Sequence, residues 1–182
     1  MVSAEILPDG AYSVVQDLSS FTWEGKEASG NTHTGNIDLY KGSLKVMNSS
    51  FSSAFIGINM NSINCTDLEG SAKERLEGHL KSEDFFATDS HQIATLNVNA
   101  IKTANNVSKA SGILTIKGIS QPITFPTTVF LDGDNIVIDG TLRFDRSNFD
   151  VRFRSDKWYS DLGDKLIYND IDLTYHIVAS PR

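Results

Sequence analysis

Ser111-Gly112-Ile113-Leu114-Thr115-Ile116-Lys117-Gly118-Ile119-Ser120-Gln121-Pro122-Ile123-Thr124-Phe125-Pro126 reads as two alternating strands joined by a Gly-to-Pro turn. Leu114 and Ile116 share a face before the turn, with the reversal placed at Ser120-Gln121-Pro122. After it Ile123, Phe125, Thr127, Val129 and Leu131 continue on every second residue. An apolar stripe with period two needs a strand with one face in a core.

The same period spreads in both directions. Ile136, Ile138, Gly140, Leu142 and Phe144 repeat it, as do Ile171, Leu173, Tyr175 and Ile177. On the N-terminal side it recurs in Ile37 and Leu39; in Ile56, Ile58 and Met60; and in Leu96, Val98 and Ala100. Asp132-Gly133-Asp134-Asn135 lies between two runs and predicts a tight hairpin turn, and Tyr40-Lys41-Gly42-Ser43 predicts another reversal. Antiparallel neighbours joined by short turns form a meander, and closing the meander removes its exposed edges. The reading is an all-β chain of about eight strands closed as an antiparallel barrel.

One segment breaks the period. Gly70-Ser71-Ala72-Lys73-Glu74-Arg75-Leu76-Glu77-Gly78-His79-Leu80 is built of helix formers, and Ser71 with Glu74 three residues on fits a capping box. Leu76 and Leu80 share a helical face, and Ser82 is placed to cap a further turn carrying Phe85 and Phe86. A short amphipathic insert near 71–86 has to bury its apolar face, so it should plug or flank one end of the barrel.

With 182 residues, 40% of them hydrophobic, the chain is long enough for one domain spanning 1–182 with a sizeable core. A net charge of −7 and a pI near 5.0 argue against nucleic acid and anionic membrane surfaces as partners. No apolar run approaches the ~20 residues needed to cross a bilayer. Met1-Val2-Ser3-Ala4-Glu5-Ile6-Leu7-Pro8 lacks the basic and apolar regions of an export signal. A native start at Met1 would place the protein in the cytoplasm, and a trimmed signal would place it outside. Asn48-Ser49-Ser50, Asn64-Cys65-Thr66 and Asn106-Val107-Ser108 match a glycosylation pattern short enough to recur by chance.

Catalytic signatures are missing from the sequence. There is no Gly-x-Ser-x-Gly elbow, no His-Glu-x-x-His pair and no phosphate-cradling loop. Cys65 is the one cysteine, which excludes an internal disulfide, and it reads as a small apolar core residue. His79 and Glu83 have the spacing of two ligands on one helix face, but His33, His91 and His176 are scattered. His79 is therefore expected to anchor the insert by hydrogen bonds, and no metal or cofactor is expected. Arg143, Arg146, Arg152, Arg154 and Lys157 interleave with Phe144, Phe149, Phe153, Trp158 and Tyr159. A stacking platform for single-stranded nucleic acid would need that pattern. Asp145, Asp150, Asp156 and Asp161 cancel its field, so salt pairs on a hairpin are the better reading.

Three ordered stretches resemble the YceI-like family of lipid-binding barrels. They are Gly78-His79-Leu80-Lys81-Ser82-Glu83-Asp84-Phe85-Phe86, the Ser111 to Pro126 stretch, and Phe144-Asp145-Arg146-Ser147-Asn148-Phe149-Asp150-Val151-Arg152-Phe153 followed by Leu162-Gly163-Asp164-Lys165-Leu166-Ile167. The resemblance runs from about Tyr12 to Val178. After the paired Phe the chain departs from the family's usual Asp, Tyr and Pro, with Ala87-Thr88-Asp89-Ser90-His91-Gln92-Ile93.

The resemblance implies a lipocalin-like barrel that binds or carries a long isoprenoid, fatty acid or fatty amide without catalysis. It implies apolar ligand contacts from Trp23, Phe55, Phe85, Phe86, Phe125, Phe144, Phe149 and Trp158, with Arg146 and Arg152 near an anionic head. The competing reading has Arg146 paired with Asp145 or Asp150 on the outside. Two other classes stay open: a filled barrel acting as a protein-interaction module, and an enzyme or accessory factor acting on a bound lipid. A homodimer is the one protein partner left open.

Overall fold

The computed structural model describes residues 6–104 and 107–182. Asn106 of the third glycosylation pattern lies outside them. In chain order the elements are β1 (Gly10–Val14), β2 (Ser20–Lys26), β3 (Thr32–Met47), β4 (Ser50–Cys65), helix α1 (Gly70–Lys81), β5 (Ile93–Ala104), β6 (Val107–Ile116), β7 (Ile119–Asp132), β8 (Asn135–Asp145) and β9 (Asp170–Pro181). Every strand pairing is antiparallel.

The strands β2 to β9 pair in a ring, in which β3 joins β4 on one side and β2 on the other, and β2 meets β9. The short β1 adds no ninth position. It lies between β3 and β9, with Tyr12 opposite Leu44 and Pro181. That is the slot β2 fills further along, where Trp23 faces Gly35 and Leu173. A 3-10 turn at Gln16–Leu18 interrupts what is otherwise one strand position. The result is a closed barrel of eight positions, which leaves no unpaired edge along the ring.

Most inward residues are those the period-two pattern marks, but on β5 a bulge between Val98 and Ala100 turns Ile101, not the expected Ala100, to the interior. Ile136, Ile138 and Leu142 are buried on β8, Tyr175 and Ile177 on β9, and Ile56, Ile58 and Met60 on β4. On β3 the parity changes: Ile37 and Leu39 are buried, and so are Leu44 and Val46. The change comes from a bulge, since Leu39 faces Ile58 but Lys41 already faces Gly57. An extra residue flips every later side chain to the other face, and the bend sharpens the sheet's curvature. Tyr40-Lys41-Gly42-Ser43 is therefore a bulge inside a 16-residue strand, not the reversal its composition suggests. The β3–β4 reversal comes later, at Asn48-Ser49, where both residues have positive φ (54° and 59°).

The reversal between β6 and β7 also shifts. Ile116 pairs directly with Ile119, so the turn is Lys117-Gly118. Both residues have positive φ (52° and 74°), the requirement of a two-residue hairpin turn whose twist matches its strands. Pro122 sits inside β7 opposite Ile113. The Asp132-Asn135 pair closes a two-residue turn at Gly133-Asp134, as expected.

Helix α1 joins β4 to β5 across one end of the barrel. The expected capping box does not form: Glu69 holds the cap position with no side-chain cap bond, and Gly70 opens the helix. The helix stops where Ser82 Oγ donates to the His79 carbonyl (2.7 Å) and the Phe86 amide donates to Leu80 (3.1 Å). Those bonds turn the chain sharply and drop Phe85 and Phe86 against the barrel end. The segment between β8 and β9 covers the same end. It is tied down at Tyr168, whose amide donates to Lys26 (2.9 Å), and by a bridge between Glu27 and Ile167.

Candidate ligand tunnel

The barrel interior is open. A cavity of about 190 Å³ runs through it, more than ten times the ~10–15 Å³ that one water needs on the same measure. On β3 its lining extends from His33 to Leu44, roughly 35 Å along the strand at ~3.3 Å per residue. The far end is formed by Phe51, Ala54 and Ile101, and the helix end by Leu76, Leu80, Phe86 and Ile167. Alanines at 54, 94 and 110 line the wall beside branched residues. Short side chains there leave the space that larger ones would fill. Cavities with walls this apolar stay dry, so an apolar chain entering displaces little bound water.

Five of the ten residues proposed from sequence line this tunnel: Trp23, Phe85, Phe86, Phe125 and Phe144. The indole Nε1 of Trp23 donates to the Asn36 carbonyl (3.3 Å), which fixes the ring against the wall. Phe85 and Phe86 meet edge to face with centroids 5.0 Å apart. Phe125 meets Tyr175 in the same way at 6.1 Å. Leu76 and Leu80 also face the tunnel, so the insert closes one end as its apolar face requires.

The other five lie elsewhere. Phe55 is next to the inward Ile56 and so points outward, with Lys41 Nζ 5.9 Å from its ring. Phe149 is buried behind Phe144 at 5.8 Å between ring centroids. Trp158 is exposed, with the Arg152 guanidinium over its ring at 5.4 Å. Arg152 pairs with Asp150 outside the barrel.

Arg146 faces neither the tunnel nor the solvent. It is fully buried and donates to the carbonyls of Val151 (2.8 Å), Ile167 (2.9 Å) and Tyr168 (3.2 Å). Its guanidinium lies 5.2 Å from the centre of the Phe85 ring. Burial pushes its pKa down to about 10, against the opposing pull of Asp145 and Asp156. The outside ion pair with Asp145 or Asp150 does not form. Asp145 is held by Lys157 (2.6 Å) and Ser147 instead. Arg146 is a bracket that ties the segment between β8 and β9 under the paired phenylalanines.

His79 also differs from expectation. Its ring packs edge-on to Phe153 (4.3 Å) and Phe85 (5.7 Å), and its Nε2 is buried without a hydrogen-bond partner. Burial lowers its pKa, so the neutral ring behaves as one more wall element. Among the described residues no three of His, Cys, Asp or Glu gather into a metal site.

Sequence reasoning missed the polar residues at the helix end. Phe21, Trp23 and Gly25 face inward on β2, and Gly25 pairs with His33 on β3. Extending the Ile37 and Leu39 stripe backward by two residues twice would have put His33 on the inner face. His33 Nδ1 donates to Asp67 Oδ2 (2.9 Å). The other oxygen, Oδ1, accepts from the Thr34 amide (2.8 Å) and from Cys65 Sγ (3.1 Å). Burial alone would raise the Asp67 pKa, but these three donors win and hold it at about 2. Cys65 is fully buried and its thiol is pushed up by that burial.

Solved structures share this architecture. Burkholderia cenocepacia BcnA superposes with a TM-score of 0.74 at 24% identity, covering 92% of this chain and 99% of its own. A polyisoprenoid binding domain from Saccharophagus degradans, described as implicated in plant cell wall breakdown, gives 0.71 at 15% identity and covers 94% and 98%. The Campylobacter jejuni YCEI protein gives 0.59 at 22% identity, covering 80% and 84%. No curated protein matches the sequence. The sequence model of the YceI-like domain matches residues 12–179, nearly the whole chain, and the protein belongs to the YceI-like family.

Proposed function

We propose that this protein binds and carries a long-chain apolar lipid, an isoprenoid or fatty chain, inside the barrel and does no chemistry on it. The observation that carries the reading is the continuous apolar tunnel, lined from Phe51 and Ile101 to Ile167. Burying each methylene gains ~0.8 kcal/mol, so ten or more carbons offset the cost of immobilisation with few polar contacts. The polyisoprenoid-binding description of the Saccharophagus relative supports the same ligand class. An open interior also speaks against a filled barrel serving only as an interaction module. Against an enzyme stands the tunnel wall itself, where the charged side chains are Lys26 and Glu27 at one end.

Native mass spectrometry of the protein as purified tests the reading. A non-covalent mass of a few hundred daltons, lost in Ala94→Trp, is the expected result. An empty wild-type protein that takes up no long-chain probe would overturn it.

A further inference from the structure

The tunnel is mostly apolar; Thr127 and the Tyr175 hydroxyl on its wall are engaged with main-chain carbonyls, and charged side chains line it at one end. Glu27 continues the inward parity of Phe21, Trp23 and Gly25, and His33, the partner of Gly25 on β3, lines the same end. His33 is not loosely placed. Asp67 accepts a hydrogen bond from its Nδ1, and Asp67 is itself fixed through Thr34 and Cys65. With its proton on Nδ1, a neutral ring leaves Nε2 as an acceptor. Glu27 is a second acceptor, one of whose oxygens already receives Ser29 and Asn31.

The cations around this end are turned away from the lining: Arg154 lies over the Phe153 ring behind His79. Lys26 is turned to Glu24 (2.9 Å) with about half its side chain in solvent. Arg146 is spent on three carbonyls, and Arg152 is outside. Arg143 is paired with Asp172 on the outer face beside Glu24. The charged side chains on the lining itself are therefore Lys26, already paired, and the carboxylate of Glu27, with Asp67 behind His33. Such a site repels a carboxylate or phosphate and accepts a group that donates hydrogen bonds.

We propose that His33, oriented by Asp67, and Glu27 form a head-group subsite at the tunnel mouth for a lipid whose head donates hydrogen bonds and carries no negative charge. A long-chain alcohol or a primary amide fits this description. The subsite rests on the reading of the tunnel as a lipid site, and it reverses the anionic head that the arginine-rich stretch suggests.

Calorimetry with cyclodextrin-delivered hexadecanol, hexadecanamide, palmitate and hexadecane, at about pH 8 where palmitate is ionised, separates the two. Hexadecanol and hexadecanamide should bind wild type roughly three- to tenfold tighter than palmitate or hexadecane, the worth of one well-placed hydrogen bond. His33→Phe should erase that preference and leave hexadecane unchanged. Asp67→Asn adds a readout that packing alone would not move. Thr34 and Cys65 keep the amide oxygen facing them, so the amide nitrogen donates to Nδ1 and the ring proton moves to Nε2. Palmitate should then gain on hexadecanol. Tightest binding of palmitate by wild type, or an alcohol preference that survives His33→Phe, overturns the subsite alone. Failure of all four probes overturns the tunnel reading and the subsite with it.

Discussion

The indole of Trp23 lies across the bare backbone of Gly35. A Cβ at Gly35 would meet two ring carbons of Trp23 at 2.4 and 2.5 Å and the Asn64 carbonyl oxygen at 2.0 Å. Real Cβ atoms never come so close, so the missing side chain is what allows the ring to form the tunnel wall. The same close approach lets β3 and β4 stay in register at Gly35 and Cys65.

Gly35→Ala should therefore destabilise the barrel by about 1–3 kcal/mol, the range for overpacking a filled site. Urea denaturation measures it, and a shift in Trp23 emission should accompany it. An unchanged midpoint and spectrum would show that the β3–β4 bulges absorb the extra carbon.

Removing Arg146 should be more damaging than removing any exposed arginine. Arg146→Met leaves the carbonyls of Val151, Ile167 and Tyr168 without their donor. A buried carbonyl left without its donor costs about 1–3 kcal/mol, and three are left here. Arg146→Lys should recover part of this, because an ammonium reaches fewer of the three. Thermal melts of both variants against Arg152→Met, expected within about 0.5 kcal/mol of wild type, would settle the ranking.

Aromatics inside and outside the tunnel should separate in a binding assay. Phe86→Ala enlarges the lining and should weaken a long-chain probe several-fold. It should cost less stability than the ~3–5 kcal/mol of a close-packed core phenylalanine, since one side already faces open space. Trp158→Ala and Phe55→Ala should leave probe affinity unchanged. Loss of affinity in Trp158→Ala would mean that the segment between β8 and β9 reaches the ligand.

Acid should loosen the tunnel mouth in a defined window. Asp67 has a folded pKa of about 2, below its ordinary 3.8. A depressed carboxyl pKa adds stability above the unfolded value, and that stability is lost as pH falls from about 4 towards 2. Solvent screening keeps the amount on the order of 1 kcal/mol. Asp67→Asn should flatten this part of the stability profile, measured by urea midpoints across the window. A slope identical to wild type would place the acid sensitivity in other carboxyls.

Much of the barrel was legible because a strand with one face inside has to alternate. The stripes on β4, β7, β8 and β9 needed nothing else. Alternation fails where a bulge resets it, and Tyr40 to Ser43 carries the Gly and polar residues of a turn while remaining inside a strand. Asn48-Ser49 turned the chain but lacked the glycine that marks most such turns. At the site, parity already separated Phe55 from the inward Ile56. No local pattern revealed that Arg146 would be caged by the carbonyl of Val151 together with those of Ile167 and Tyr168, about twenty residues downstream. That arrangement exists only once the segment between β8 and β9 folds back, and its partners are main-chain atoms that every residue possesses. His33 was missed for the opposite reason: the stripe that places it inward is short, and its partner Asp67 arrives from beyond β4.

The shared slot of β1 and β2 has a consequence for how the molecule is made. Both halves of that slot are sealed on one side by β9, which comes after every other strand of the ring in chain order. Until it arrives, β8 and the β1–β2 line are open flanks about 120 residues apart in sequence. A nascent chain can zip the successive hairpins from β3 to β8 as they emerge, but it has no interior to offer a lipid. The tunnel therefore exists only once β9 has closed the ring. A chain stalled short of Asp170 would present two adhesive borders instead of a container.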